Sequence, residues 1–142
     1  MLKGIPAIIS PELMKILMEM GHGDELLLCD GNYPKGGCPP HCVRMDGHGI
    51  VEILDAILRF FPLDTFVENP ATFMAVVPGD PYVPEVWEEY RRVGAKHEPE
   101  GLREVAIDRF AFYERGRACH ACVATGETAL YANIILKKGV VK

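Results

Sequence analysis

Five short runs constrain this chain more than any other feature: Leu26 to Cys29, Thr72 to Val77, Val105 to Ile107, Ala121 to Thr125 and Asn133 to Leu136. Most are apolar almost throughout. A strand with one face in water alternates apolar with polar residues, because successive side chains point to opposite faces; a continuous apolar run implies cover on both. Three amphipathic patterns supply that cover. In the first, Ser10-Pro11-Glu12 precedes Leu13, Ile16, Leu17 and Met20, spaced i, i+3, i+4, i+7. Ser10 can accept from an orphan N–H, Pro11 at the first helical position has no N–H to lose, Glu12 suits the positive end of the dipole, and Gly21 can supply a left-handed stop. A second stripe runs through Ile50, Ile53, Leu54, Ile57 and Phe61, opening after Gly49 and closed by Pro62. A third, shorter one follows Pro84, with Trp87, Tyr90 and Val93 on one side. The class is α/β: a single-domain sandwich of helices around a mainly parallel or mixed β-sheet, spanning residues 1–142. The Pro- and Gly-rich stretches Asn32 to Pro40 and Pro78 to Pro84 read as surface loops.

Charge narrows the partners. Asp and Glu total 20 against 15 Lys and Arg, a formal net charge of −5, and no dense basic run is present to neutralise phosphates, so nucleic acid is not an expected partner. The apolar runs fall far short of the roughly 20 residues a membrane helix needs, so no membrane span is expected. The opening Met1-Leu2-Lys3-Gly4-Ile5-Pro6 lacks the continuous apolar segment of a secretory signal, which makes a cytoplasmic setting with reduced thiols the expectation.

Two cysteine groups invite a zinc reading: Cys119-His120-Ala121-Cys122, and Cys38 with His41 and Cys42. Against it, Cys119 and Cys122 run into an extended segment, where residues three apart point to opposite faces and cannot both reach one ion. The expectation is no metal, with Cys29, Cys119 and Cys122 as small buried hydrophobes and Cys38 and Cys42 as loop thiols. No phosphate-binding or dinucleotide glycine fingerprint occurs, so no cofactor is expected.

Three polar clusters could carry chemistry. His22 lies in the turn leaving the first helix, and Asp30 follows the strand Leu26 to Cys29, at the carboxyl end where open α/β sheets place ligand-binding residues. An imidazole exchanges protons near neutrality, and a carboxylate can fix a hydroxyl; helix-end and turn roles are the structural alternative. Arg109 leaves the strand Val105 to Ile107 in the same manner, with Phe110, Phe112 and Tyr113 able to wall a sugar face, while Glu114 and Arg115 read as a solvated helix face. Tyr131 and Asn133, if extended, project to one side and form a hydrogen-bonding edge; a turn with a buried tyrosine is the alternative.

Taken together and in order, six segments resemble one family. They are Leu2 to Pro6, Ser10 to Leu13, Met20 to Glu25, Phe61 to Thr65, Arg109 to Arg115, and Ala124 to Glu127 continuing through Tyr131 to Val140. They are similar to the fucose branch of the family that holds the L-fucose mutarotases and the D-ribose pyranases. Gly31-Asn32-Tyr33-Pro34 stands where that branch usually has Ala-Asn-Phe-Pro. The resemblance implies an isomerase that interconverts the α and β anomers of L-fucose. It also implies a closed homo-oligomer, often a decamer in bacterial members, with sites near subunit boundaries. By position, His22 matches the family's proton donor, Asp30, Asp64, Arg109, Tyr131 and Asn133 its sugar contacts, and Tyr113 lies in the Phe-Tyr-Glu-Arg motif beside the pocket. Pyranose–furanose exchange of ribose and non-catalytic monosaccharide binding are the alternatives.

Overall fold

The computed structural model describes residues 1–142. Helix α1 spans Pro11–Glu19, and Ser10 Oγ accepts from the Leu13 amide at 3.1 Å, as the capping residues dictate. Its end departs from expectation. Met20 closes it in extended geometry, and the left-handed residue is Gly23 (φ 87°), not Gly21, so the chain makes a wider turn that carries His22 outward. Strand β1 (Glu25–Cys29) follows, then a single 3₁₀ turn (Lys35–Gly37), β2 (Cys42–Met45), α2 (Ile50–Leu58) and β3 (Ala71–Met74). The chain continues with α3 (Val86–His97), β4 (Glu104–Ile107), α4 (Arg109–Arg117), β5 (Ala121–Thr125) and β6 (Ile134–Lys137).

The six strands form one mixed sheet in the order β2-β5-β1-β6-β3-β4. All run the same way except β6, which is antiparallel to both neighbours. Alternation along the central strands explains their continuous apolarity. Leu26, Leu28, Ala121, Val123, Ile134 and Leu136 face a large core beneath α1, α2 and α3, whereas Leu27, Cys29, Cys122 and Ile135 face a smaller one with Phe112 of α4. Both layers exclude water from the middle of the sheet, and Leu26, Leu27, Leu28, Ile134, Ile135 and Leu136 are each 0% exposed. Covering side chains of that size contributes about 1.5–3 kcal/mol apiece. Cover fails at one edge: Val105 and Ala106 of β4 are exposed, against the two-sided burial their apolar run suggests.

The loops at the carboxyl ends of β1 and β5 converge. The Gly31 amide donates to Glu127 O at 2.9 Å and the Gly126 amide to His48 O at 3.0 Å. Helix α2 begins after Gly49, which has no side chain to cap it, and Glu127 supplies the missing acceptor: its Oε2 takes the Ile50 amide at 3.0 Å. Its other oxygen takes the Thr128 and Ala129 amides, each at 3.0 Å. Glu127→Ala therefore removes a cap and a charge at a helix N-terminus and should lower unfolding stability by about 1–2 kcal/mol, read as a reduced midpoint in urea with an unchanged slope.

Candidate active site

Because β6 runs backwards, the residues just before it reach the same end of the sheet as those just after β1, β3 and β4. There Asp30, Asn32, Tyr33, Met74, Asp80, Arg109, Tyr113, Tyr131 and Asn133 line a cleft of about 210 Å³. Asn133 is buried, and its Oδ1 accepts from the Asp30 amide at 2.7 Å, which fixes the start of the loop. Asp30 Oδ1 in turn accepts from the Asn32 amide at 2.9 Å, holding the carboxylate at the cleft wall.

Tyr131 and Asn133 both line the cleft, but not as an extended pair. Tyr131 adopts a left-handed backbone (φ 56°), a conformation a bulky residue holds only when its surroundings impose it. Those surroundings are identifiable. Trp87 Nε1 donates to Tyr131 O at 2.8 Å, and the buried Tyr90 hydroxyl donates to Ala132 O at 2.8 Å, so α3 clamps the turn. The Tyr131 hydroxyl donates to Asp80 Oδ2 at 2.6 Å. Asp80 carries little signal in the sequence: it is a turn Asp between Gly79 and Pro81, within a stretch dominated by loop residues.

Arg109 opens α4, directly after Asp108, whose carboxylate caps the helix by accepting from Phe110 and Ala111 at 3.0 and 3.1 Å. The guanidinium lies over the Phe110 ring at 4.7 Å and is exposed. Tyr113 stands edge-on to Tyr33 with ring centroids 5.4 Å apart, giving the cleft an aromatic side. Arg115 is not on a solvated face: it grips Glu25 at 3.1 Å from Nε and 2.5 Å from Nη2, tying α4 to the amino end of β1.

His22 and Asp64 are elsewhere. They lie at the amino ends of β1 and β3, and β1 alone separates its two ends by roughly 13 Å, four steps of about 3.3 Å. Within one chain, His22 and Asp30 are not neighbours. His22 Nε2 is 3.0 Å from Asp64 Oδ1, and the exposed Phe66 packs against the imidazole with ring centroids 5.2 Å apart. Asp64 is 2% exposed, with Oδ1 also accepting from the Phe66 amide at 3.0 Å, so its carboxylate is engaged inside the protein and does not face the cleft. Arg103 (φ 52°) holds this segment by donating to Asp64 O at 2.8 Å and Val67 O at 3.0 Å.

The carboxyl groups differ electrostatically. Burial pushes the Asp64 carboxyl up, but the Phe66 amide and His22 outweigh it and hold the acid below the ordinary carboxylate range. Burial also pushes Asp30 up, and there it prevails over the lowering effect of Asn32 and Asn133. At the rim, the hydrogen bond to Asp80 raises the Tyr131 phenol and the same bond lowers Asp80. For Asp30 the sign is that of a raised acid. Its ionised form costs stability above the folded pKa, and that cost vanishes below the unfolded value of 3.8. Asp30→Asn, which keeps an acceptor for the Asn32 amide, should melt higher than wild type at pH 7, with the difference closing toward pH 3; thermal scans across that range check it.

The arrangement resembles known proteins over its whole length. Human fucose mutarotase is 49% identical, with 98% of this chain and 94% of that one covered. L-fucose mutarotase of Actinobacillus pleuropneumoniae serotype 5b is 46% identical, with 99% and 97% covered. Fucose mutarotase of Streptococcus pneumoniae, solved in complex with L-fucose, superposes with a TM-score of 0.94 at 51% identity, covering 99% of this chain and all of that one. A family model matches residues 3–141, and with it this chain belongs to the RbsD / FucU transport protein family.

Proposed function

We propose that this chain is an L-fucose mutarotase, an isomerase that exchanges the α and β anomers by opening and reclosing the pyranose ring. The observation that carries the reading is the convergence of Asp30, Arg109, Tyr131 and Asn133 in one cleft of about 210 Å³. That volume lies below the roughly 300–1,000 Å³ of sites for drug-sized ligands and suits a single monosaccharide. Carboxylate, guanidinium and amide groups fix hydroxyls, and Met74 and Tyr113 offer apolar surface to a sugar face. The fucose-bound relative at 51% identity supports the choice of sugar.

Ring opening needs a proton at the ring oxygen and another taken from the anomeric hydroxyl. His22 is the donor, and Asp64 positions it: an imidazole whose Nε2 is held by a buried carboxylate presents Nδ1 in a fixed direction. Asp64 is thus a positioning residue, not a sugar contact. Tyr131 receives the anomeric proton while its own phenolic proton passes to Asp80. Ring closure on the other face reverses both transfers.

His22 and the cleft meet only if the amino end of one sheet abuts the carboxyl end of another. The site is therefore shared: His22 of the partner subunit completes the cleft in a homo-oligomer. Exposed apolar side chains at both ends support this, Phe66 (70%) beside His22 and Phe110 (69%) and Leu130 (51%) around the cleft. The oligomer is built from one mutarotase domain per chain and works in the cytoplasm. No helix is long and apolar enough to cross a membrane.

Exchange NMR tests the reading. Saturating the α-anomeric proton of L-fucose should transfer to the β resonance on adding the protein. Binding without acceleration would make the chain a sugar-binding protein, and acceleration of D-ribose pyranose–furanose exchange alone would make it a pyranase.

A further inference from the structure

Four of the five cysteines gather at one place beside the cleft. Cys122 of β5 and Cys42 of β2 are register partners, so both point to the same face of the sheet. Cys29 of β1 lies two residues beyond Leu27, the partner of Cys122, and shares that face. Cys38 descends onto them from the Lys35–Gly37 turn, with Arg117 of α4 donating to Gly36 O at 3.2 Å. The turn can come this close because Gly116 of α4 has no Cβ, which would stand 2.5 Å from Tyr33 Oη and 2.6 Å from Gly37 O. Cys119 is not in the group; its thiol turns to Arg115 O.

The sulfur positions distinguish two chemistries. Cys29 Sγ is 3.5 Å from Cys122 Sγ, Cys122 Sγ is 3.9 Å from Cys38 Sγ, and the three lie within 4.8 Å of one another. A disulfide needs sulfurs at about 2.05 Å, so strand-borne thiols would have to close by more than an ångström. A thiolate-bound cation with metal–sulfur bonds of about 2.3 Å holds its sulfurs about 3.8 Å apart in a tetrahedron and about 4.0 Å apart in a trigonal plane. The observed spacing is that of ligands. Donors that are all sulfur select thiophilic ions over oxygen-seeking Mg²⁺ or Ca²⁺. The half-buried Cys38 and Cys42 lie toward solvent and provide the way in.

We propose that Cys29, Cys38 and Cys122 form a site for a thiophilic d¹⁰ cation of the Zn²⁺ class, with Cys42, whose thiol lies 3.7 Å from Pro39 O, turning in as fourth donor. Such an ion bridges β1, β5 and the Lys35–Gly37 turn, and so fixes the loop from Asp30 to Pro34 that forms one wall of the cleft. The role is structural, with four protein ligands and no open position for substrate.

The test uses the full-length reduced protein and Cd²⁺ as the probe. One equivalent should produce the ultraviolet sulfur-to-metal charge-transfer absorption of a thiolate site, and should be displaced by excess Zn²⁺. Cys38→Ser, on an exposed turn, should weaken Cd²⁺ binding by more than about 100-fold, beyond what loss of an outer-shell partner costs. Cys119→Ser should leave binding unchanged. Absence of the absorption in wild type overturns the site, as does unaltered binding in Cys38→Ser. Equal loss in Cys119→Ser would also overturn it, and so would disappearance of two thiols in air with no metal taken up. Because the wild-type titration stands alone, misfolding of a variant does not remove the test.

Discussion

His22→Ala is expected to lower catalysed anomer exchange by about 10²–10⁴-fold, the usual contribution of a positioned acid or base, while lowering the melting temperature by only about a few degrees. The fold survives because His22 is an exposed side chain in a turn whose geometry comes from Gly23 and from the Gly21 amide donating to Asp24 Oδ2 at 2.7 Å, and the small loss comes from the buried Asp64 carboxylate, which gives up its His22 partner. Wild-type exchange in the variant would remove His22 from the chemistry. A mixing experiment then asks where His22 acts. Asp30→Ala disables the cleft and His22→Ala disables the donor, so neither homo-oligomer should work alone. After subunit exchange in an equal mixture, roughly a quarter of junctions would pair an intact donor with an intact cleft, and about that fraction of activity should return. No recovery, with exchange verified by mass spectrometry, would place donor and cleft in one chain.

Gly126→Ala should produce the largest loss of stability, about 3 kcal/mol or more. A Cβ at this position would stand 1.9 Å from Asp46 O and 3.0 Å from its carbonyl carbon. The obstacle is backbone, which cannot rotate aside as a side chain would, so the cost exceeds the 1–3 kcal/mol typical of an overpacked core. The damage should spread to function. Gly126 lies beside Glu127, whose carbonyl accepts the Gly31 amide and whose carboxylate caps α2. Forcing the turn after β2 away from β5 therefore shifts the loop that carries Asp30. Weakened fucose binding in soluble protein, measured by calorimetry alongside denaturant unfolding, is the expected signature. An alanine variant of wild-type stability would mean that the Asp46 turn yields freely.

Periodicity found the elements whose burial is one-sided or complete. Helices α1, α2 and α3 announce themselves by apolar stripes, and β1, β5 and β6 by uninterrupted apolar runs. What escaped has a physical reason in each case. β2 is a four-residue edge strand in which only Val43 and Met45 are buried while Arg44 points to water, too short an alternation to stand out. α4 shows little apolar stripe: Phe112 and Gly116 are its only buried residues, and a glycine contributes no hydrophobicity although the close approach of the Tyr33 loop depends on it. Asp30 and Arg109 are legible as cleft residues because strand ends place them, and Tyr131 and Asn133 as polar residues ahead of β6, though not as the extended pair their spacing suggests. His22 and Asp30 read as one polar cluster, although the strand Leu26 to Cys29 between them sets its two ends on opposite edges of the sheet. The cysteines show the same limit. Spacing groups Cys119 with Cys122 and Cys38 with Cys42, whereas strand register pairs Cys122 with Cys42 and sets it beside Cys29.

The burial of β1 has a consequence for how this scaffold can change. Flanked by β5 and β6 and sealed on both faces, its amides should be among the last to exchange with deuterium, opening only when the whole molecule unfolds. The interval between a chain's own His22 and its own cleft is then a constant of the fold, which no loop movement can shorten. Selection for a bulkier or smaller aldose has to work on the segments hanging from the sheet, Asp30 to Pro34 after β1 and Val77 to Tyr82 after β3, with β1 itself unaltered. Libraries confined to those segments should shift sugar preference without loss of thermal stability, whereas libraries directed at Leu26, Leu27 and Leu28 should yield unfolded protein before they yield new specificity.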